Sequence, residues 1–151
     1  MSNSEKPTIL VLCTGNSCRS HMAEGVLKSL LKDHFNIQSA GANPSGKVNP
    51  LAIQVMDEIG IDISDHSSKH LNQFLNDRVS TVISVCCNAS HSCPTFPGQM
   101  QRYHWQFEDP SDTVGSNEEI LDSFRTIRNQ VKMVFTAYAQ GLLDGLTINK
   151  Q

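Results

Sequence analysis

The chain has 151 residues, the length of a single compact domain, and it is expected to fold as one unit over 1–151 with a core from about residue 7 to 146. Twelve Lys and Arg against fifteen Asp and Glu give a net charge of −3, which lacks the basic excess that would hold a nucleic-acid backbone or an anionic membrane by charge. The apolar stretch Thr8 to Cys13 is far below the roughly 20 residues a membrane span needs, and the polar start Ser-Asn-Ser-Glu-Lys-Pro is no signal peptide, so a cytoplasmic protein is expected.

Hydrophobic period sets out the elements in order. Thr8 to Leu12 is a continuous apolar run suited to a parallel strand covered on both faces. From Cys18 to about Lys32, Met22, Ala23, Val26, Leu27, Leu30 and Leu31 recur at three- and four-residue spacing and predict a helix with one buried stripe. Phe35 to Ala40 reads as a second strand, stopped by Gly41 and the Asn43-Pro44 turn signal. Asn49 is a candidate N-cap for a helix opened by Pro50, carrying Ala52, Ile53, Val55, Met56 and Ile59 and ended by Gly60. Val79 to Val85 is a β-branched third strand and Tyr103 to Phe107 a shorter fourth. A last helix starts near Asn117 or Glu118, buries Ile120, Leu121, Phe124, Ile127, Val131, Val134 and Phe135, and frays after Leu146.

Strands alternating with helices predict an α/β fold, a three-layer sandwich around a four-stranded, mostly parallel sheet. Ligands of such sheets bind beyond the carboxyl ends of the strands, where Cys13, Cys86 and the residues after Phe107 would all emerge.

Five cysteines are an odd number for a chain without an export signal, and they cluster: Cys13 and Cys18 in one segment, Cys86, Cys87 and Cys93 in another. Reduced thiols used for chemistry fit this better than a disulfide framework. The first cluster lies in Cys13-Thr14-Gly15-Asn16-Ser17-Cys18-Arg19-Ser20, between strand and helix, where backbone N–H groups and a helix N-terminus converge on an anion. Gly15 permits torsions a side chain forbids, Arg19 offers a planar fork to two oxyanions, and Ser20 can donate to sulfur. The same positive field would make the Cys13 thiolate available near neutral pH, as a nucleophile facing a bound tetrahedral anion.

This loop, with the continuation His21-Met22-Ala23-Glu24-Gly25, resembles the low-molecular-weight tyrosine phosphatase superfamily and in particular its arsenate reductase branch. Further matching stretches are Ser39-Ala40-Gly41, Asn49-Pro50, Gly60-Ile61-Asp62-Ile63-Ser64, and His104-Trp105 through Glu108-Asp109-Pro110. The resemblance implies a low-molecular-weight-phosphatase-like fold, oxyanion binding by residues 14–19, and a general-acid role for Asp109. The plainer reading of Asp109 is a turn residue before proline.

A phosphatase needs one thiol, because water can hydrolyse its phosphocysteine intermediate. A reductase needs two electrons, which from protein thiols means a disulfide. Cys86 and Cys93, followed by Pro94, resemble the two resolving cysteines of thioredoxin-coupled arsenate reductases. The implied relay runs from Cys13 to Cys86 to Cys93, requires no cofactor, and is regenerated by thioredoxin. The polar stretch Asn88 to Ser92 lacks a helical apolar period and could refold as Cys93 approaches Cys86. Cys87 is a bystander or a competitor of Cys93. A zinc site from Cys86, Cys87, His91 and Cys93 has the wrong spacing, since adjacent cysteines do not readily close one tetrahedron.

Some members of this branch hold a potassium ion, and the matching oxygen ligands here would be Asn16, Glu24 and Ser39. The remaining family position, an aspartate, is Lys69 in this chain, which either supplies the positive charge directly through its ammonium or is a solvated loop lysine. His21 stands where the phosphatases usually carry proline and glutamine is common among the reductases. His34, His66, His70 and His104 share no metal-ligand spacing and are expected to form ordinary hydrogen bonds. Two other functions are compatible with the residues: a phosphatase for phosphotyrosine or a small phosphomonoester, using only the loop and Asp109, and a catalytically silent anion- or metal-binding regulator.

Overall fold

Ile9, Leu10, Val11 and Leu12 have no solvent exposure, a burden that only a strand covered on both faces can meet. In the computed structural model, which describes residues 6–85 and 95–149, they lie in β1 (Thr8–Cys13). The other elements are α1 (Arg19–Leu31), β2 (Asn36–Gly41), α2 (Pro50–Asp57), β3 (Val79–Ser84), β4 (Gln101–His104) and α3 (Asn117–Asn149). The sheet order is β2-β1-β3-β4, and every neighbouring pair is parallel.

Side chains alternate along β1, and the two core clusters follow that alternation. Ile9, Val11 and Cys13 face the helical layer, where they join Met22 and Leu27 of α1, Val55 and Met56 of α2, and Phe124 and Phe135 of α3. Leu10 and Leu12 face the opposite layer, covered by Leu71 and Phe74 of a short 3-10 turn (Leu71–Phe74) and by Phe96. The α/β architecture read from the sequence is present, with a thin second layer made of a turn and loop.

Register places the strand ends at one height. Cys13 lies opposite Gly41, Leu12 opposite Ser84, and the Val85 N–H donates to the Leu12 carbonyl at 2.9 Å. The carboxyl ends of β1, β2 and β3 therefore share a rim, as expected for a parallel sheet with right-handed crossovers.

Helix ends follow their side chains. Asn49 caps α2, its side chain accepting from the Leu51 N–H with Pro50 in the first turn. α2 stops at Asp57, two residues short of Ile59, and Gly60 turns the chain with φ +79° so that the Ile61 N–H reaches the Met56 carbonyl. At the start of α3, Ser116 and Glu119 exchange hydrogen bonds at 3.2 Å in each direction. This is a capping box, and it starts the helix at Asn117, one of the two expected positions. Arg125 and Arg128 of α3 both bond the Glu58 carboxylate, tying α3 to the end of α2.

Four expectations need correction. Leu30 is exposed, because on a 3.6-residue helix the stripe through Leu27 and Leu31 leaves Leu30 on the flank. Phe35 precedes β2 and packs against the core from the turn before it. The fourth strand is Gln101–His104 rather than Tyr103 to Phe107. Its aromatic residues mislead the pattern: Trp105 and Phe107 pack against Phe135 of α3 from beyond the strand, while all four paired residues of this edge strand are exposed. α3 also runs on to Asn149, past the expected fraying point.

Candidate active site

The segment from Cys13 to Ser20 joins the rim end of β1 to the first turn of α1, and its shape is fixed by what its carbonyls do. Thr14 O accepts from Asn43 N, Gly15 O from Ser45 N, and Ser17 O from Asn49 N, each at 2.9–3.0 Å. Asn16 O accepts from His21 Nε2 at 3.0 Å. Because C=O and N–H point opposite ways across a trans peptide, four outward carbonyls aim the N–H groups of residues 15–18 to the other side of the loop. A run of amides on one side, ending at a helix N-terminus, is an anion cradle.

The strained torsion in this loop is carried by Asn16, at φ +46°, and not by Gly15 as expected. Asparagine tolerates the left-handed region when its side chain finds local partners. Asn16 is fully buried; its Oδ1 accepts from the Lys69 N–H at 2.8 Å, and its Nδ2 donates to Ser20 Oγ at 2.9 Å and Ser39 Oγ at 3.0 Å. Gly15 has a different task, since its carbonyl also receives the Ser68 hydroxyl at 3.2 Å. Gly41 fits the loop closely: a Cβ there would stand 2.5 Å from Thr14 O and 2.7 Å from Cys13 O.

Arg19, buried at the start of α1, donates from Nη1 to the Phe107 carbonyl at 2.9 Å and from Nη2 toward Asp109 Oδ2 at 3.4 Å. One guanidinium thus fastens the loop after β1 to the segment bearing Asp109, 90 residues away. Asp109 serves two purposes. Its Oδ1 caps the 3-10 turn Pro110–Asp112 by accepting from Ser111 N and Oγ, which is the turn role, while its Oδ2 faces Arg19.

Cys13 is buried at the end of β1, and Cys18 is buried beside Arg19. Burial pushes the Cys18 thiol up to about 12, against the pull of the Ser17 hydroxyl and with Asp109 and Cys13 adding in the same sense as burial. Cys18 stays protonated near neutral pH and shapes the loop through packing. Ser20 Oγ is buried and accepts from Asn16, so its own proton remains available to donate. Of the residues read from the sequence, Cys13, Thr14, Gly15, Asn16, Ser17, Cys18, Arg19, Ser20 and Asp109 are brought to one end of the sheet. Cys86, Cys87, His91 and Cys93, and the stretch Asn88 to Ser92, lie outside the described residues.

The potassium ligands inferred from the family resemblance are differently employed here. Glu24 Oε1 accepts from Ser39 Oγ at 2.6 Å, and Lys28 Nζ sits 2.6 Å from Glu24 Oε2. Asn16 turns its NH₂ toward Ser39. A potassium ion wants oxygen ligands in these places, and the NH₂ that Asn16 turns toward Ser39 does not supply one. Lys28 supplies a positive charge at the carboxylate, and the Lys69 ammonium, whose Nζ donates to Ser67 O at 2.9 Å, also feels the Glu24 charge. The signal for Lys28 was in the sequence, four residues after Glu24 on one helix face. The neighbouring carboxyl is held down at about 2: burial opposes ionisation, and His21, His66, Lys28 and Ser39 overcome it.

Comparisons with known proteins identify the family. The family described as low molecular weight phosphotyrosine protein phosphatase matches residues 8–147. An arsenate reductase of Halalkalibacterium halodurans is 42% identical over 135 residues, 89% of this chain and 96% of the relative. One from Staphylococcus aureus is 41% identical over 128 residues, 85% of this chain and 92% of the relative. A solved arsenate reductase in a phosphate-binding state superimposes with TM-score 0.75 at 36% identity, covering 89% of this chain and 98% of that one.

Proposed function

This chain belongs to the low molecular weight phosphotyrosine protein phosphatase family, and from that premise we propose that it is an arsenate reductase working through Cys13, Cys86 and Cys93. The observation that carries the reading is the Arg19 link between loop and acid segment, together with close relatives that are arsenate reductases. An oxyanion held by the loop amides then lies between the Cys13 sulfur and the Asp109 carboxyl.

The chemistry runs in three displacements. The Cys13 thiolate attacks the arsenic of arsenate, and Asp109 gives a proton to the departing oxygen, which leaves as water. The Cys86 thiolate attacks Cys13 Sγ; the S–As electron pair stays with arsenic, arsenite departs and a Cys13–Cys86 disulfide remains. Cys93 then attacks Cys86 Sγ, releasing the Cys13 thiolate and leaving a Cys86–Cys93 disulfide. A dithiol reductant of the thioredoxin class returns that disulfide to two thiols. Support for the second step comes from the sheet, where Val85, one residue before Cys86, is hydrogen-bonded to Leu12, one residue before Cys13.

The phosphatase alternative uses the same loop and Asp109 and no second thiol. A coupled assay separates the two. With thioredoxin and its reductase, arsenate should drive NADPH consumption, whereas a glutaredoxin system run beside it should be slower. Phosphomonoester hydrolysis without arsenate-dependent NADPH consumption would assign the protein to the phosphatases instead.

A further inference from the structure

On the far side of Asn16 from the anion cradle, two imidazoles and a carboxylate converge. His21 and Glu24 lie three residues apart on α1, and His66 reaches them from the loop after α2. His21 is fully buried and Glu24 nearly so; the side chain of His66 is 4% exposed. We propose that His21 Nδ1, His66 Nδ1 and Glu24 Oε1 form a binding site for a borderline divalent cation such as zinc or cobalt, beneath the nucleophile loop.

Geometry is the first ground. The three atoms are separated by 3.1, 3.6 and 3.7 Å. Ligand atoms placed about 2.0–2.1 Å from one tetrahedral ion stand roughly 3.3–3.4 Å apart, so an ion fits after shifts of a few tenths of an ångström. Donor type is the second ground. Two imidazole nitrogens with one carboxylate oxygen suit zinc, cobalt or nickel and not an alkali or alkaline-earth ion, a different class of metal from the potassium inferred from the resemblance.

Proton positions supply the third ground. The Asn16 carbonyl can only accept, so His21 Nε2 carries a hydrogen, and the neutral ring a metal requires has its lone pair on His21 Nδ1, which is turned toward the cluster. A ring N–H anchored on a backbone carbonyl is the usual outer support of a metal-bound histidine. In the metal-free arrangement Lys28 donates to His66 Nε2 at 3.5 Å, and the His66 Nδ1–H donates to His21. When a cation enters, that proton moves to His66 Nε2 and Lys28 turns away from the ring while remaining on Glu24 Oε2. The Lys28 side chain is 43% exposed, so this movement costs little. Nothing is oxidised. Because His21 holds the Asn16 carbonyl, an occupied site stiffens the residue that carries the strained torsion of the loop.

The test is titration of the reduced full-length protein with Co²⁺. One equivalent should bind with d–d absorption and without thiolate-to-cobalt charge transfer, and His21→Gln and His66→Gln should each weaken binding at least tenfold. Thiolate charge-transfer bands with affinity unchanged in both variants would overturn the site by assigning the metal to cysteines, and an absence of saturable binding would overturn it too. A second measurement needs no variant: Zn²⁺ added to the ¹⁵N-labelled native protein should shift the Nδ1 resonances of His21 and His66 together. Unmoved resonances at saturating Zn²⁺ would refute the proposal even if the variants failed to fold.

Discussion

Asp109 concentrates the residue-scale question, because one of its oxygens does ordinary turn work and the other faces Arg19. Asp109→Asn keeps an oxygen for the Ser111 N–H, so the turn should survive, and phosphate should bind as before. It removes the proton donor, and turnover of arsenate should fall by roughly a hundredfold or more. Steady-state rates beside a phosphate-binding titration check this; unchanged turnover across pH would leave Asp109 with the turn alone. The two buried thiols of the loop should part company in the same way. Iodoacetamide at neutral pH should modify Cys13 and spare Cys18, whose thiol is pushed up to about 12 by burial, and phosphate should protect Cys13. Peptide mass mapping of the alkylated protein reads both. The residue types of this loop announce their chemistry in the sequence. What they hide is the division of labour, since the left-handed torsion falls to Asn16 only once Ser20, Ser39 and the Lys69 amide arrive to hold its side chain.

At the scale of elements, the close fit of β2 against the loop makes a sharp test. Gly41→Ala would drive a methyl group into the carbonyls of Cys13 and Thr14, and backbone cannot yield as a flexible side chain can. The loop should shift, with arsenate turnover down by roughly a hundredfold while circular dichroism still reports the α/β fold. The tie between α2 and α3 makes a pH test. Hydrogen bonds from Arg125, then those from Arg128, hold the Glu58 carboxyl at about 2, below the ordinary 4.5. A depressed folded value contributes stability above the unfolded value and loses it as pH falls through the folded one. Acid unfolding of Glu58→Gln should therefore be flatter than that of the native protein between pH 4.5 and 2, and salt should shrink the difference because the pair is partly exposed. Long periodic elements such as β1 and α3 are legible in the sequence because burial on both faces, or on one stripe, fixes their composition. β4 is not, because an edge strand with four exposed residues has no burial pattern to display, and the aromatic residues beyond it mimic one. The ion-pair tie at Glu58 joins residues 67 and 70 positions apart, which no local pattern reveals.

For the molecule as a whole, one parallel sheet brings Cys13 and Val85, the residue before Cys86, to a common rim, and Arg19 ties the segment bearing Asp109 to the same end. Electron count then separates a reductase from a phosphatase: hydrolysis leaves sulfur unchanged, whereas release of arsenite turns two thiols into a disulfide. The most direct measurement is peptide mass mapping of Cys93→Ser, acid-quenched after a single arsenate turnover without reductant. Cys13 should be found joined to Cys86, with one arsenite released per chain. Cys13 and Cys86 recovered as free thiols, with no arsenite formed, would contradict the relay and leave the phosphatase reading in its place.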